Sequence, residues 1–308
     1  MAPTASTPLI PEPAPQKTAL VVDSNPAVNA MLTRVLKDQG IDIRRAVDNK
    51  TVLSLVKQSP FDLIITGQKT CGREDVELLH AIRNVRPNAR MIILADESTP
   101  ADVIDAVRGG AFSYFCPPYS RGGFAEMVHL AMTQPAWDDG IEIVSATTSW
   151  VRLIVRCEVA TADRLVQFLR AGSTLPEGEK EDVISAFHEI LMNAIEHGAH
   201  FDPSQYAEVA FVRARRAMLC RVRDPGKGFS LEEIRHKVAK SSPVDVFSHL
   251  SVREEQGMRP GGFGVMLAKK LVDELFFGEE GNDVLLVKYL DPPPESPAAT
   301  TRTSAPAA

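Results

Sequence analysis

The stretch 188–198, HEILMNAIEHG, carries two helical patterns on one segment. Apolar side chains recur at steps of three and four, the spacing of a helix face that packs on a core. The members of this stripe are Ile184, Phe187, Leu191 and Ile195. A second row, at steps of four, is polar and consists of Glu189, Asn193 and His197, with Gly198 as the helix stop. A solvated face explains such a row as well as a ligand site does, so the rest of the chain must decide.

The composition is that of a soluble globular protein with about two domains. The chain has 308 residues, of which 44% are hydrophobic and 24% charged, and its net charge is -6. We therefore expect no direct binding to nucleic acid or membrane, and no apolar run approaches the roughly 20 residues of a membrane span. The first residues do not resemble a secretory signal. The four cysteines lie far apart without a CxxC pair, which disfavours zinc and disulfides and predicts a cytoplasmic protein.

Two flanking arms and two folded regions are predicted. Residues 1–17 and 292–308 are rich in proline and small residues, a composition that predicts disorder. Between 18 and 134, apolar runs such as ALVVD, FDLIIT and RMIILA alternate with helical patterns. This alternation predicts an α/β domain with a doubly wound parallel sheet. A linker is expected over 135–144.

The second region, 145–291, has a different pattern of predicted strands and helices. SWVRLIVRCEV and AEVAFVRARRAMLCRVRD read as long, half-exposed antiparallel strands. Helices are expected near 161–171, 180–197 and 263–276. This grouping predicts a two-layer α/β sandwich.

One predicted strand ends in a carboxylate. Met218, Cys220 and Val222 alternate along this strand and form its apolar face, and Asp224 lies on the same face. A buried carboxylate needs a partner. Gly226 and Gly228 then bracket a turn where the backbone can approach a ligand closely. Alone, this segment is more often a turn than a site.

A glycine-rich segment follows at 259–275, RPGGFGVMLAKKLVDEL. Gly261, Gly262 and Gly264 precede or open a helix, and backbone N–H groups at such a start bind anions. We expect the core side of this helix to carry Leu267, Leu271 and Leu275.

In order and spacing, the three segments resemble the GHKL ATPase superfamily over roughly 145–290. Glu189 and Asn193 match its N-box. Its first glycine box is matched by Asp224, Gly226 and Gly228, and its second by Gly262 and Gly264. HEILMNAIEHG and GGFGVMLAKKLVDEL look most like the anti-sigma-factor serine kinases. Pro260 and Gly261 replace the usual Gly-Arg pair of the second box, with Arg259 as a candidate substitute.

The resemblance implies ATP and Mg²⁺ as ligands. Asn193 offers an amide oxygen, the ligand type that Mg²⁺ prefers. Glu189 would accept the proton of an attacking hydroxyl or water. Asp224 would accept a hydrogen bond from the adenine amino group. His197 either joins this site or only complements the helix dipole.

A zinc-protease interpretation is excluded. His188 and Glu189 begin like an HExxH motif, but Met192 replaces the second ligand. His200 is too isolated to substitute for it.

The first region resembles the response-regulator receiver domain through LVVDSNP, FDLIIT and GGAFSYFCPPY. The positions expected to carry its chemistry hold Asp23 and Ser24 (the acidic pair), Gly67 (the phosphoacceptor), Ala95 (the hydroxyl) and Pro117 (the lysine). An aspartyl phosphate cannot form on glycine, and one remaining acid predicts weak Mg²⁺ binding. Asp62, at an odd offset, is expected on the opposite strand face. The domain is therefore predicted to be a phosphate-independent docking or dimerisation module.

Together these features predict a cytoplasmic signalling regulator, an anti-sigma-like serine/threonine kinase that works by partner switching. The resemblance implies a sigma factor and/or an anti-anti-sigma (STAS-type) protein as partners, and a homodimer stays open. The main alternative is a non-catalytic ATP-binding interaction module. An atypical histidine-kinase-like protein is disfavoured, since no helical region between the domains offers a phosphoacceptor histidine.

Overall fold

A computed structural model describes residues 16–22, 25–67, 72–134, 140–228 and 263–290. The chain forms two compact units, one comprising Met1–Asp139 with Gln167–Ser173 and the other Gly140–Val166 with Thr174–Ala308. Apart from Gln16 and Lys17, the predicted arms lie outside the described residues, as does the first half of the predicted linker, 135–139. None of the described helices has the length and apolar content that a bilayer span needs.

The first unit contains a five-stranded parallel sheet in the order β2-β1-β3-β4-β5. This confirms the predicted doubly wound fold. Its elements are β1 Thr18–Val22, α1 Pro26–Asp38, β2 Asp42–Ala46, α2 Asn49–Gln58, β3 Leu63–Ile65, α3 Gly72–Val85, β4 Met91–Leu94, α4 Pro100–Arg108, β5 Ser113–Phe115 and α5 Arg121–Thr133.

Local sequence signals explain these elements. Every residue of β3 and β4 is buried, as expected of parallel strands covered on both faces. Helix α1 starts where the Asn25 side chain accepts a hydrogen bond from the Val28 N–H at 3.0 Å. Helix α4 starts with a capping box of Thr99 and Asp102.

Three elements of this unit, β2, α2 and α5, were missed by the sequence interpretation. Strand β2 exposes Asp42, Arg44 and Arg45, because it is an edge strand and needs little apolar surface. Helix α5 has Gly122 and Gly123 in its first turn, where glycine weakens the helical pattern.

The second unit contains a six-stranded antiparallel sheet in the order β10-β11-β9-β8-β7-β6. The alternating buried positions of its strands face the helices, in agreement with the predicted two-layer sandwich. Its elements are β6 Ile141–Ala146, β7 Trp150–Arg156, the first part of α6 Val159–Gly172 (up to Val166), α7 Glu177–Asn193, β8 Tyr206–Arg213, β9 Ala217–Arg223, α8 Phe263–Leu271, β10 Glu274–Phe277 and β11 Asp283–Tyr289.

The end of helix α8 differs from the prediction of a helix over 263–276. The helix ends at Leu271, and Leu275 lies in β10, which pairs with β11. Leu267 was expected in the core but is 43% exposed. Ala268 and Val272 are buried instead, so the core face of the helix is shifted by one residue. The continuous run of apolar residues predicts one helix, because the four residues of β10 are too few to show an alternating pattern of their own.

Helix α7 carries the predicted apolar stripe, and its four members are all buried: Ile184, Phe187, Leu191 and Ile195. Phe187 contacts Phe211 of β8 edge-on, with ring centroids 4.9 Å apart. After Asn193 the helix continues as a π-helical turn, Ala194–Gly198, in which the Ala199 N–H donates to the Ala194 carbonyl at 3.0 Å.

The π-helical turn changes the predicted polar row. Glu189 and Asn193 are half-buried, whereas His197 is exposed. A π-turn bonds across five residues rather than four, so a step of four no longer places His197 above Asn193. The predicted row of three is therefore wrong at its last member. His200 and Phe201, just beyond, have φ angles of 53° and 56°.

Candidate functional site

The first turn of α8 lies directly against the polar row of α7. A Cβ atom on Gly264 would lie 2.6 Å from Oε2 of Glu189 and 3.4 Å from Nδ2 of Asn193. Any side chain at 264 would therefore displace the carboxylate. The structure brings together Glu189, Asn193 and Gly264, three residues that the sequence assigned to one site.

Asp224 is enclosed by two glycines just beyond the end of β9. A Cβ on Gly198 would lie 2.4 Å from Cγ of Asp224, and one on Gly226 would lie 2.8 Å from its Oδ1. The same Oδ1 accepts a hydrogen bond from the Gly226 N–H at 2.8 Å.

The turn after β9 is held against the turn before β11. Gly228 has φ +73°, and a Cβ there would lie 1.7 Å from the Glu280 carbonyl oxygen. Glycine is required at this position for both conformation and space. The predicted role of Gly228 as a turn residue thus agrees with its close backbone approach.

Asn282 is a residue of this site that sequence reasoning missed. Its Nδ2 donates to the Gly226 carbonyl at 3.1 Å, and its own carbonyl accepts from the Asp224 N–H at 2.9 Å. The side chain thus fixes the glycine turn beside Asp224. The only signal in the sequence was a turn-forming Gly-Asn pair at 281–282.

Burial dominates the electrostatics around Asp224. It raises the pKa of this carboxyl, although the hydrogen bond from Gly226 acts in the opposite direction. Burial, with the charges of Asp224 and Asp202, also raises the pKa of the Cys157 thiol to about 11. Both shifts disfavour negative charge here, so a hydrogen-bond donor from a ligand would stabilise the carboxylate.

The second glycine box is described only at Gly264. Gly262 lies outside the described residues, together with Arg259, Pro260 and Gly261. Their predicted phosphate contacts remain predictions.

The oxygen donors of Glu189 and Asn193 suit a hard cation such as Mg²⁺. Within the described ranges, no three His, Cys, Asp or Glu residues come together as a metal-binding group. Asn193 therefore fits a Mg²⁺ ion that takes most of its oxygen ligands from elsewhere, as nucleotide-bound Mg²⁺ does.

In the first unit, the described positions expected to carry chemistry hold inert groups. Gly67 is buried just beyond β3, and Ala95 is buried with its carbonyl accepting from the Tyr119 hydroxyl at 3.0 Å. Asp62 lies before β3, at its opposite end, where its Oδ2 accepts from the Thr18 N–H at 2.7 Å. Asp23 falls outside the described residues.

Comparison with known families agrees with both halves of this description. Residues 19–129 match the response regulator receiver domain, and residues 157–288 match the histidine kinase-like ATPase domain. The chain therefore combines a receiver domain with a histidine kinase-like ATPase domain, an architecture of signalling proteins.

Curated relatives match over part of the chain. The DNA-binding transcriptional regulator NtrC of Azospirillum brasilense is 29% identical over 122 residues, which are 39% of this chain and 25% of that protein. The response regulator protein PilR of Pseudomonas aeruginosa is 26% identical over 114 residues, 37% of this chain and 26% of that protein. The chain spans about a quarter of the length of these relatives.

Solved structures of receiver domains are also similar. The CheY-like receiver domain protein from Methanospirillum hungatei JF-1 has 20% identity and a TM-score of 0.35, and the match covers 38% of this chain and 94% of that one. A response regulator from Thermotoga maritima has 20% identity and a TM-score of 0.35, with 39% and 99% covered.

Proposed function

We propose that the ATPase domain binds ATP with Mg²⁺ and that the protein is a cytoplasmic, anti-sigma-like serine/threonine kinase acting by partner switching. The observation that carries this proposal is the packing of Gly264 against Glu189 and Asn193, in the last turns of a helix whose π-helical continuation contacts Asp224 at Gly198. Gly198 lies nine positions after Glu189, at most about 14 Å along the axis at the α-helical rise. This separation suits an elongated ligand such as a nucleotide.

The two ends of the site bind different parts of the nucleotide. The Asp224 carboxylate accepts a hydrogen bond from the adenine amino group, while Gly198 and Gly226 leave room for that carboxylate. At the other end, Glu189 accepts the proton of a serine or threonine hydroxyl as that oxygen attacks the terminal phosphate. Asn193 contributes an oxygen ligand to Mg²⁺, which neutralises phosphate charge when bound.

The assignment of partners rests on the resemblance of HEILMNAIEHG and the α8 segment to the anti-sigma-factor serine kinases. We propose a sigma factor and/or an anti-anti-sigma protein of the STAS type as the partner. The receiver domain serves as a docking module, because Gly67 cannot accept a phosphoryl group.

Phosphoryl transfer from labelled ATP tests the proposal. The full chain is incubated with candidate STAS-type proteins, and label is expected on a serine or threonine of one of them. Glu189→Gln keeps nucleotide binding but lowers the transfer rate by about 10²–10⁴-fold, the contribution of a general base. Glu179→Gln, on the same helix but near its start, is the matched control and leaves the rate unchanged.

Two results would contradict parts of this proposal. Wild-type protein that binds ATP but transfers no label to any partner would indicate a non-catalytic ATP-binding module. Equal transfer rates in wild type and Glu189→Gln would remove Glu189 from the chemistry. Asn193→Ala separates the metal role, since it should lose the Mg²⁺-dependent part of binding and transfer together.

A further inference from the structure

The turn between β8 and β9 forms a basic projection on the ATPase domain. Arg213 ends β8, Arg215 and Arg216 follow in the turn, and all three are exposed; we call these three residues the arginine tip. The tip is framed by backbone bonds on both sides, from the Arg213 N–H to the Ser149 carbonyl at 2.7 Å and from the Leu290 N–H to the Arg216 carbonyl at 2.9 Å. The backbone of the tip is therefore held by hydrogen bonds to both neighbouring segments.

The turn itself does not require arginine. The Ala214 N–H donates to the Ala217 carbonyl at 2.9 Å, so Arg215 and Arg216 are the two residues of the loop. Two-residue hairpin loops favour Asn-Gly, with positive φ angles. Among the described non-glycine residues only His200 and Phe201 have positive φ, so both arginines adopt a less favourable turn. Their presence is better explained by what their side chains bind.

The charges of the arginine tip are not neutralised within the described structure. Other arginines of the same sheet have partners, since Arg152 binds Glu208 at 2.9 Å and Nε of Arg221 binds Oδ1 of Asp283 at 2.9 Å. By contrast, no described acidic residue pairs with the three tip arginines. Nη1 of Arg213 donates to the Ala214 carbonyl at 3.2 Å, so among the described residues the guanidinium groups of Arg215 and Arg216 are the most accessible to an anionic ligand.

Two exposed aromatic side chains flank the tip. Trp150 pairs with Val212 beside it on β7 and is 51% exposed, and Tyr289 pairs with Ala217 on the other side and is 53% exposed. Arginine, tryptophan and tyrosine are the residues enriched at protein–protein interfaces. Exposed aromatic side chains on both sides of the exposed loop arginines thus form one surface with a charged part and an apolar part.

We infer that the arginine tip, with Trp150 and Tyr289, binds an acidic segment of a partner protein. The guanidinium groups bind carboxylates in bidentate fashion, and the aromatic side chains contact an apolar residue of the segment. Nucleic acid is disfavoured because the net charge repels a polyanion. Three charges also fall short of the roughly 4–8 basic residues of lipid-binding segments.

This surface is separate from the candidate nucleotide site. The tip precedes the first residue of β9, and Asp224 follows its last, so strand β9 of seven residues separates them by about 23 Å. The inference therefore does not rest on the proposed function.

Fluorescence anisotropy with the full chain tests this inference. The probe is a short fluorescein-labelled peptide of glutamates around one central leucine, and the same peptide with glutamine is the ligand control. We expect only the glutamate peptide to bind. Arg215→Ala/Arg216→Ala should weaken its binding about tenfold, as for the loss of two partly exposed charge contacts. Trp150→Ala should weaken it while leaving the salt dependence unchanged.

The matched control is Lys50→Ala/Lys57→Ala, which removes two exposed charges from α2 of the other unit and should leave peptide binding unchanged. Equal weakening in both double variants would mean general attraction of charge and would overturn the inference. So would absence of peptide binding to wild type, or arginine-dependent binding of anionic vesicles or single-stranded DNA in place of the peptide.

Discussion

In the receiver domain, the described positions expected to carry chemistry hold Gly67, Ala95 and Pro117, while the parallel sheet around them is complete. In the ATPase domain, the corresponding positions hold Glu189 and Asp224, and glycines lie where any side chain would collide with them. A glycine thus removes a functional group in one domain and makes room for functional groups in the other.

The difference teaches that a fold and its chemistry depend on different residues. Buried apolar strands such as β3 and β4 maintain the receiver sheet without any reactive group. The ATPase site instead depends on backbone positions that tolerate no Cβ. Substitutions at glycines should therefore have larger consequences in the ATPase domain than in the receiver domain.

The largest expected effect compares two glycines with the same backbone conformation. Gly228 has φ +73° and would place a Cβ 1.7 Å from the Glu280 carbonyl oxygen, whereas Gly40 has φ +69° and open space around it. Alanine should cost about 1–2 kcal/mol at either position for the left-handed conformation. Gly228→Ala should lose at least about 2 kcal/mol more, because the clash is with backbone.

Urea unfolding followed by hydrogen exchange reports the free energy of unfolding of each domain. Equal losses for Gly228→Ala and Gly40→Ala would show that the turns at 228 and 280 do not pack as described.

The next effect concerns activity without loss of stability. Alanine at 264 favours a helix by roughly 0.5–1 kcal/mol over glycine, yet its Cβ would displace the Glu189 carboxylate. Gly264→Ala should therefore keep or raise the stability of the domain while lowering phosphoryl transfer up to about 100-fold, as expected of a displacement of about 1 Å. Gly178→Ala, in the first turn of α7 with nothing within 4 Å, is the control. Unchanged transfer in Gly264→Ala would remove the close approach from the mechanism.

A smaller effect is expected at Asp224. Asp224→Asn should weaken ATP binding by about 1.5 kcal/mol, at the lower end for a hydrogen bond to a charged group, as measured by calorimetry. Because burial raises the pKa of Asp224 above its ordinary value of 3.8, the native state holds this proton more tightly than the unfolded chain does. The contribution of Asp224 to stability should therefore fall as pH rises from 3.8 to the raised pKa. Asp224→Asn should lack this dependence, and an identical pH profile in both proteins would contradict the burial.

No effect at all is expected from phosphodonors on the receiver domain. Small-molecule phosphodonors should leave the mass of the chain unchanged, because Gly67 offers no carboxylate. A receiver domain with an aspartate at that position, treated in parallel, shows that the donor is active. A gain of one phosphoryl group mapped to residues 18–134 would refute the prediction.

Much of this architecture follows from sequence patterns. Apolar strands β1, β3 and β4 predict the receiver sheet, and the stripe from Ile184 to Ile195 predicts the buried face of α7. Strand β2 escaped because an edge strand can be polar. The shift in α8 escaped because Leu267 and Ala268 are both compatible with a buried position, and only packing against α7 selects the smaller one.

The candidate site was predictable by residue type but not by geometry. Glu189, Asn193 and Gly264 are three of the residues that order and spacing had selected, and the structure places them in contact. Asn282 was not predictable, because its contribution is a pair of hydrogen bonds across a turn distant in the chain. His197 was misplaced because periodicity assumes a uniform helix.

The π-helical turn Ala194–Gly198 determines how far Gly198 is rotated about the helix axis relative to Glu189 and Asn193. Each residue of an α-helix rotates the chain by about 100°, so one additional residue in a turn re-aims everything beyond it. Glu189 and Asn193 lie before the π-helical turn. Gly198, which packs against Asp224, is its last residue. Deleting one residue here would restore an ordinary helix and rotate Gly198 out of line with Asp224, although no side chain of the site had been altered. The alignment of Gly198 with Asp224 thus depends on the one residue that the π-helical turn adds.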